Sequence, residues 1–96
     1  MEKRGVQPGR PLGATTFEVG LAKALGAVIR ERRLQRGLAQ EQLALAARVE
    51  RSHMGKIERG EHLPSLAIVI RIADALSCRP GKLVDRAVEV SRGDDS

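Results

Sequence analysis

The sequence predicts an all-α protein, and three observations carry that prediction. Apolar residues recur at helical spacing, as Met54 and Ile57 do three positions apart. Residues that favour helix starts stand beside such segments, as Ser65 and Pro80 do. Gly60 follows one segment, and glycine often occupies the position just past a helix C-terminus. The predicted helices span about residues 15–36, 40–47, 51–59, 66–76 and 80–89.

The segment before the first predicted helix, residues 1–14, is expected to be a flexible basic arm. It contains three glycines, two prolines and three basic residues against one acid, and it shows no apolar periodicity. Lys3, Arg4 and Arg10 are candidates for phosphate contacts, and the alternative is a disordered terminus without a role. At the other end, residues 91–96 are expected to form a disordered tail.

The first predicted helix is the longest. Thr15 and Glu18 are spaced as a capping box, which predicts its start. Its apolar residues follow one helical stripe: Phe17, Leu21, Ala24, Leu25, Val28 and Ile29. Gly20 and Gly26 each cost such a helix up to about 1 kcal/mol relative to alanine, so a kink is one expectation. Gly37 is predicted to end the helix.

Two short helices joined by a tight turn are predicted between residues 38 and 60. Leu43, Ala44 and Ala47 share one face of the first, and Arg48–Glu50 forms the break. Such a pair is a helix-turn-helix, whose second helix enters the DNA major groove, although the spacing alone leaves other helical hairpins open. The outward residues of the second helix are polar, short or cationic, as on a surface that reads base edges: Arg51, Ser52, His53, Gly55 and Lys56.

Composition favours a polyanionic partner. The 96 residues carry 17 Lys and Arg against 12 Asp and Glu, a formal net charge of +5, which does not separate DNA from RNA or an anionic membrane. Phe17 is the only Phe, Tyr or Trp, so the chain lacks the stacking platforms that single-stranded nucleic acids usually need. Cys78 is the only cysteine, which excludes a disulfide within the chain and fits a reducing compartment. No apolar run suits a membrane span or a signal peptide, so we expect a cytoplasmic location.

Enzymatic and metal chemistry find no support in the sequence. His53, His62 and Cys78 do not form a zinc spacing, and no phosphate-cradling glycine loop occurs. Ser52 and His53 are adjacent, but neighbours on a helix point about 100° apart, so they do not form a nucleophile–base pair. We therefore expect no catalytic residue, no metal ligand and no cofactor.

Three motifs occur in order along the chain. They read GLAQEQLA at Gly37–Ala44, IERG at Ile57–Gly60 and PSL at Pro64–Leu66. Together they resemble the phage-repressor/Cro-type helix-turn-helix domain of the XRE family, over about Leu25–Val84. The resemblance implies a compact five-helix lambda-repressor-like domain that binds operator DNA, usually as a dimer. The first helix of that family usually starts nearer Leu25, so an extended first helix departs from the pattern.

The resemblance also implies roles for residues around the third helix. The positions that point at bases are Arg51, Ser52 and Lys56. The positions that contact phosphate are Gln40, His53 and Arg59. Arg33 and Glu58 match an ion pair of the family, which would neutralise an acid beside DNA and hold the first helix against the third.

Four residues depart from the family pattern. Ala39 and Glu50 stand where Ser or Thr usually caps the second and third helices, and losing a cap costs roughly 1 kcal/mol. Arg48 replaces a turn glycine and is predicted to adopt a left-handed backbone at a cost of about 1 kcal/mol or more. Gly55 is unusual within a helix. It either lets the helix approach DNA closely or relieves crowding against a neighbouring helix.

The fourth predicted helix is apolar over much of its circumference. Its apolar residues cover an arc of about 200°, wider than the roughly 100° stripe that a surface helix needs. They are Leu66, Ile68, Val69, Ile70, Ile72, Ala73 and Leu76. A contiguous apolar excess indicates a partner, and we predict a homodimer interface that contains Ile68, Ile70 and Ile72.

The predicted function is sequence-specific binding of double-stranded DNA by a transcriptional regulator. We expect a homodimer that acts on an inverted-repeat operator and controls its own gene. Two alternatives with the same fold are a restriction–modification controller protein and an antitoxin, whose protein partner would be a toxin. Another is a helical protein-interaction module that has lost DNA binding. Arg48, Glu50 and Gly55 favour that module. The residues Arg51, Lys56 and Gln40 and the net charge oppose it.

Overall fold

The computed structural model describes residues 12–93, with side chains described from residue 19 onward. Within that part of the chain, five α-helices and no strand are present. The helices are α1 (Leu12–Gln35), α2 (Gln40–Ala47), α3 (Arg51–Glu58), α4 (Leu66–Ala75) and α5 (Pro80–Ser91). The predicted all-α, five-helix fold class is therefore confirmed.

The first helix begins earlier than the sequence predicted. α1 starts at Leu12, so Thr15 lies inside the helix and does not cap it. Residues 12–14 of the predicted arm are thus helical, whereas residues 1–11 lie outside the described part of the chain. Pro11 directly precedes α1, and proline suits a helix start, so it is a second start signal that competes with the capping-box spacing.

Residues 21–24 of α1 pack on the rest of the domain. Ala22 and Ala24 are buried and Leu21 is half-buried, although all three precede Leu25, near which the family's first helix usually starts. α1 packs against both α5 and α3. These residues before Leu25 therefore add to the core, while Val19 on the same helix remains exposed.

Gly26 lets α1 and α3 approach each other closely. A Cβ atom at this position would lie 2.6 Å from the carbonyl oxygen of Glu58 and closer still to that of Ile57. Because the obstructing atoms belong to the backbone, any side chain here would push the two helices apart. The structure thus assigns Gly26 a role in helix packing.

Every helix contributes to one core. The largest fully buried side chains are Ile29, Leu43, Met54, Ile57, Ile72 and Leu83. α2 packs against α3 and α4, and α4 also packs against α5. In the helix-turn-helix, α2 therefore packs on α4, and α3 packs on α1.

The packing of α4 corrects the predicted partner surface. Because α4 packs against both α2 and α5, the fold itself uses much of its wide apolar arc. Ile72 is completely buried, so it cannot belong to an exposed interface as predicted. Ile68 is half-buried against the core, whereas Ile70 is 41% exposed. Only these two of the three predicted residues lie at the surface.

Local signals account for several helix ends. The Ser65 hydroxyl oxygen accepts a hydrogen bond from the Ile68 amide at 3.2 Å, which makes Ser65 the N-cap of α4, as predicted. Ala39 provides no side-chain cap for α2, but its N–H donates to Gln42 Oε1 at 2.7 Å. Gly37 follows α1 with a φ of +70°, the left-handed conformation that glycine adopts readily.

The C-terminal end of the fold differs slightly from the prediction. α5 opens at Pro80 and runs to Ser91, which is the first residue of the predicted tail. Gly93 has a φ of +74° just beyond the helix. Residues 94–96 of the predicted tail lie outside the described residues.

Candidate nucleic-acid interface

The turn between α2 and α3 is tight and contains one strained residue. Arg48 has φ 58° and ψ 46°, the predicted left-handed conformation, which costs a residue other than glycine about 1 kcal/mol or more. Its N–H donates to the carbonyl of Leu45 at 3.1 Å, and the Val49 N–H donates to the carbonyl of Ala44 at 2.9 Å. Val49 is buried, so its side chain anchors the turn to the core.

The side chain of Arg71, on α4, donates hydrogen bonds to the backbone of this turn. Its Nε donates to the carbonyl oxygen of Ala47 at 3.0 Å, and its Nη2 donates to that of Arg48 at 3.4 Å. These carbonyls lie at the C-terminal end of α2, where a cation is favourable. The charge thus stabilises the turn that determines how α3 is presented.

Arg33 and Glu58 form a buried pair that joins α1 to α3. Arg33 Nε lies 2.8 Å from Glu58 Oε2, and Nη2 lies 3.0 Å from Oε1. The third nitrogen, Nη1, donates to the carbonyl of Leu38 at 2.8 Å. The side chains are 10% and 2% exposed. A bidentate ion pair that is this little exposed to solvent is costly to break, because the remaining charge would be buried without a partner.

Gln40 at the start of α2 extends the same network. Its Nε2 donates to Glu58 Oε1 at 3.1 Å, which holds the amide over α3. Gly55 lies beneath this amide: a Cβ atom there would lie 3.4 Å, an ordinary contact distance, from Gln40 Oε1 and 3.0 Å from Arg59 Nη1. Both atoms are the far ends of flexible side chains, so the surface of α3 at Gly55 is covered by side chains and not by another helix backbone.

The outer face of α3 is a shallow open groove. It is lined by Gln40, Arg51, Ser52, Gly55, Lys56 and Arg59. Arg51, Ser52, Lys56 and Arg59 are exposed. Among the described residues, Arg51 and Lys56 have no ion-pair partner. Their charges are therefore available to a ligand in the groove, and a polyanion is the ligand that this charge favours.

His53 does not line this groove. It is half-buried, and its ring packs edge-to-face on the ring of His62, with centroids 4.7 Å apart and an angle of 75° between the planes. Its Nε2 is buried without a hydrogen-bond partner. His53 precedes the fully buried Ile57 by four positions, which places both on one side of α3. The predicted phosphate contact therefore cannot be made through Nε2 in this conformation.

Arg59 and Glu61 form a second two-point pair, at the end of the groove. Arg59 Nε lies 2.8 Å from Glu61 Oε2, and Nη2 lies 3.3 Å from Oε1. The side chains are 58% and 53% exposed. The hydrogen bond from Arg59 lowers the pKa of the Glu61 carboxyl, and the charges of Lys56 and Lys23 lower it further. The same hydrogen bond raises the pKa of Arg59.

The described part of the chain contains neither a metal site nor a membrane-spanning helix. Residues 12–93 contain no group of three or more His, Cys, Asp or Glu side chains placed to hold a metal ion. None of the helices in this range combines the length and the apolar character that crossing a membrane requires.

Comparison with known proteins gives the family. The sequence profile of a family described as a helix-turn-helix domain matches residues 24–87. The chain belongs to this helix-turn-helix family. The match covers all of α2 to α4, the C-terminal half of α1 and most of α5.

Named relatives of this helix-turn-helix protein agree with that result. It is 39% identical over 51 residues to the ImmF control region 10 kDa protein of Bacillus phage phi105, and the alignment covers 53% of this chain. Only 57% of that phage protein is spanned. The structure of the clp gene regulator ClgR from Corynebacterium glutamicum superposes with a TM-score of 0.71 at 28% identity, covering 75% of this chain and 77% of that one.

A second solved structure is more similar in sequence. The restriction-modification controller protein C.AhdI from Aeromonas hydrophila has a TM-score of 0.62 at 40% identity, and the match covers 66% of this chain and 94% of that one. These neighbours are named as a gene regulator and a restriction-modification controller protein. The predicted resemblance is confirmed: this is an XRE-type helix-turn-helix DNA-binding protein.

The helix-turn-helix protein brings most of its predicted contact residues together. All of them except His53 line the groove on α3. Sequence reasoning missed Arg71 and Glu61. Arg71 could have been found, because it is the only charged residue between Leu66 and Ala73. No sequence pattern indicated that Glu61 would bind Arg59.

Proposed function

We propose that this helix-turn-helix protein is a sequence-specific regulator that binds double-stranded DNA as a homodimer on an inverted-repeat operator. The observation that carries the proposal is the groove on α3, where Arg51 and Lys56 are exposed and lack an ion-pair partner among the described residues. An α-helix of this kind fits the major groove, and unpaired cations on its outer face can donate to base edges.

The proposed roles separate base reading from phosphate binding. Arg51 and Lys56 donate to guanine O6 and N7, and Ser52 donates or accepts at a neighbouring base. Gln40 and Arg59, at the edge of the groove, bind the phosphate backbone. Gln40 is well placed because Glu58 already holds its amide. His53 is left out of the phosphate set, because the described conformation buries its Nε2.

The proposed dimer uses the outer side of α4. Leu66 is 71% exposed and Ile70 is 41% exposed, four positions apart and hence on one face of the helix. Ile68, two positions from each of them, points to a different side of α4 and is half-buried against the core. In a symmetric dimer the two α3 helices would enter successive major grooves about 34 Å apart, so the operator would be an inverted repeat.

The names of the relatives support a more specific role. Resemblance to a phage control-region protein and to a restriction–modification controller supports a cytoplasmic regulator that binds DNA near its own gene and controls its own synthesis. The 40% identity to C.AhdI favours the controller role as the second candidate. In either role, affinity would come mainly from phosphate contacts and specificity from Arg51 and Lys56.

The test is a salt series of DNA binding. Wild-type protein would be titrated against a random duplex and against the DNA upstream of its gene, by anisotropy of labelled DNA, because the protein has no Trp or Tyr. We expect affinity to fall steeply with salt and to favour the upstream DNA strongly. No binding to either duplex at low salt would refute the proposal.

A further inference from the structure

Arg59 presents two edges to two different neighbours. Its Nη1 faces the groove, where a Cβ atom at Gly55 would lie 3.0 Å away. Its Nε and Nη2 are occupied by the carboxylate of Glu61, at 2.8 Å and 3.3 Å. This two-point geometry is also the one that a guanidinium offers to a phosphate. The carboxylate therefore occupies the Nε–Nη2 edge of Arg59, one of the edges through which a guanidinium binds a phosphate.

Exposure makes the carboxylate of Glu61 replaceable. Both side chains are more than half exposed, at 58% for Arg59 and 53% for Glu61. Exposed ion pairs contribute little to stability, because water and salt compete for both charges. A phosphate that arrives as part of a DNA backbone can therefore displace Glu61 without unfolding any part of the site.

Lys23 of α1 brings another cation to the same place. Gly60, between Arg59 and Glu61, has a φ of +75°, and a Cβ atom there would lie 2.6 Å from the Cα of Lys23 and 2.7 Å from its Cγ. The stem of Lys23 thus passes directly against Gly60. Lys23 is exposed and has no ion-pair partner among the described residues.

Arg59 binds this carboxylate directly, and Lys23 lies against the neighbouring Gly60. The pKa of Glu61 is lowered by the hydrogen bond from Arg59 first, and by the charges of Lys56 and Lys23 in addition. These residues come from α1, from α3 and from the C-cap of α3. Cations that come from separate elements and act on one exposed carboxylate also favour another anion in its place.

We propose that Glu61 occupies a phosphate site in the unbound protein, and that Arg59 and Lys23 hold a DNA backbone phosphate there once Glu61 is displaced. The inference rests on the proposed DNA-binding function and adds two elements to it. Glu61 competes with DNA for Arg59 and so weakens binding. Lys23 extends the interface from α3 to α1.

The test compares Glu61→Gln with Asp85→Asn. Both substitutions remove one negative charge, but Asp85 is exposed on α5, which packs on α1 and α4. We expect Glu61→Gln to raise the affinity for random and upstream duplexes alike. The affinity of this variant should exceed that of Asp85→Asn roughly threefold. In an Arg59→Gln background this additional gain should disappear, because Glu61 acts through Arg59.

Lys23→Gln tests the contribution of α1, with Lys82→Gln as the matched loss of an exposed lysine on α5. Lys23→Gln should weaken binding to both duplexes by the same factor. It should also make the slope of log affinity against log salt shallower by about 0.9. Lys82→Gln should have neither effect. Far-UV circular dichroism would establish that each variant is folded.

Each contrary result has a distinct meaning. The inference is overturned if Glu61→Gln behaves like Asp85→Asn, if it weakens binding, or if its gain persists without Arg59. It is equally overturned if Lys23→Gln matches Lys82→Gln. In those cases wild-type protein still binds DNA and the proposed function stands. If wild-type protein and all variants fail to bind at low salt, the proposed function falls and the phosphate site falls with it.

Discussion

Two arginine–glutamate pairs in this molecule have similar geometry and different surroundings. Arg33–Glu58 and Arg59–Glu61 are both two-point pairs with a shortest distance of 2.8 Å. The side chains of the first pair are 10% and 2% exposed, and those of the second are 58% and 53% exposed. Distance alone would rank the pairs as equal, so burial must decide what each pair does.

The difference follows from the cost of leaving a charge without its partner. Glu58 lies between α1 and α3, where an unpaired carboxylate would have lost its water as well as its cation. Glu61 is hydrated whether or not Arg59 is present. The first pair therefore holds two helices together, whereas the second can be exchanged for another anion. The predictions below test this contrast, beginning with the largest effect.

Removing Arg33 should produce the largest loss. Arg33→Ala leaves Glu58 buried without its cation and frees the carbonyl of Leu38, so we expect the free energy of unfolding to fall by about 3–5 kcal/mol. Chemical denaturation followed by far-UV circular dichroism measures this. Arg59→Ala is the control and should have a much smaller effect. Equal losses would show that burial does not separate the two pairs.

The same contrast between buried and exposed residues applies to the apolar residues of α4. Ile72→Ala should lower the free energy of unfolding, measured by chemical denaturation, by about 2–5 kcal/mol, because it opens a cavity in the core.

Ile70→Glu should leave the fold intact and convert the proposed dimer to a monomer, as measured by sedimentation at micromolar concentration. If this variant sediments as a dimer like the wild type, the interface lies elsewhere, and the extended α1 becomes the next candidate.

Arg51 and Arg59 should separate base reading from phosphate binding. Arg51 has no ion-pair partner in the described part of the chain, and Arg51→Ala should reduce discrimination at one base pair by about 1–3 kcal/mol. Arg59→Gln should weaken binding to every duplex by the same factor. Competition between operator variants and random DNA measures both. Uniform weakening by Arg51→Ala would reassign Arg51 to phosphate.

The smallest effect concerns the titration of Glu61. Its pKa in the folded protein is lowered, so its contribution to stability is present above its unfolded pKa and is lost as the pH falls through the lower, folded value. Carboxyl carbon chemical shifts in an NMR titration would report this pKa. Arg59→Gln should raise it, and so should bound DNA, because the phosphate would take Arg59. An unchanged pKa in the DNA complex would mean that Glu61 keeps its partner.

Much of the fold was predictable because helix signals are local. The Ser65 cap, the glycine after α1 and the apolar spacing of Met54 and Ile57 each act within about one turn of helix. The left-handed turn at Arg48 followed from the family pattern. The start of α1 was placed at Thr15 instead of Leu12, since two local start signals lay within four residues.

The composition of the candidate site was predictable, but the state of its side chains was not. The sequence placed Arg51, Ser52 and Lys56 on one outward face of α3, and the groove contains all three. It could not show that His53 packs on His62, because that contact depends on the path of the loop after α3. Nor could it show that the side-chain ends of Gln40, from another helix, and of Arg59 lie over Gly55.

The sequence by itself determined the helices, the helix-turn-helix and the cationic face of α3, because these depend on residues within a few positions of each other. The tertiary structure alone decided that Ile72 lies in the core and Ile70 at the surface. It also decided that Arg71 hydrogen-bonds a backbone carbonyl 24 positions away, and that the two arginine–glutamate pairs differ in burial. The burial of each residue depends on which helices pack together, and so does the effective dielectric constant around each charge. Spacing along the chain does not contain that information.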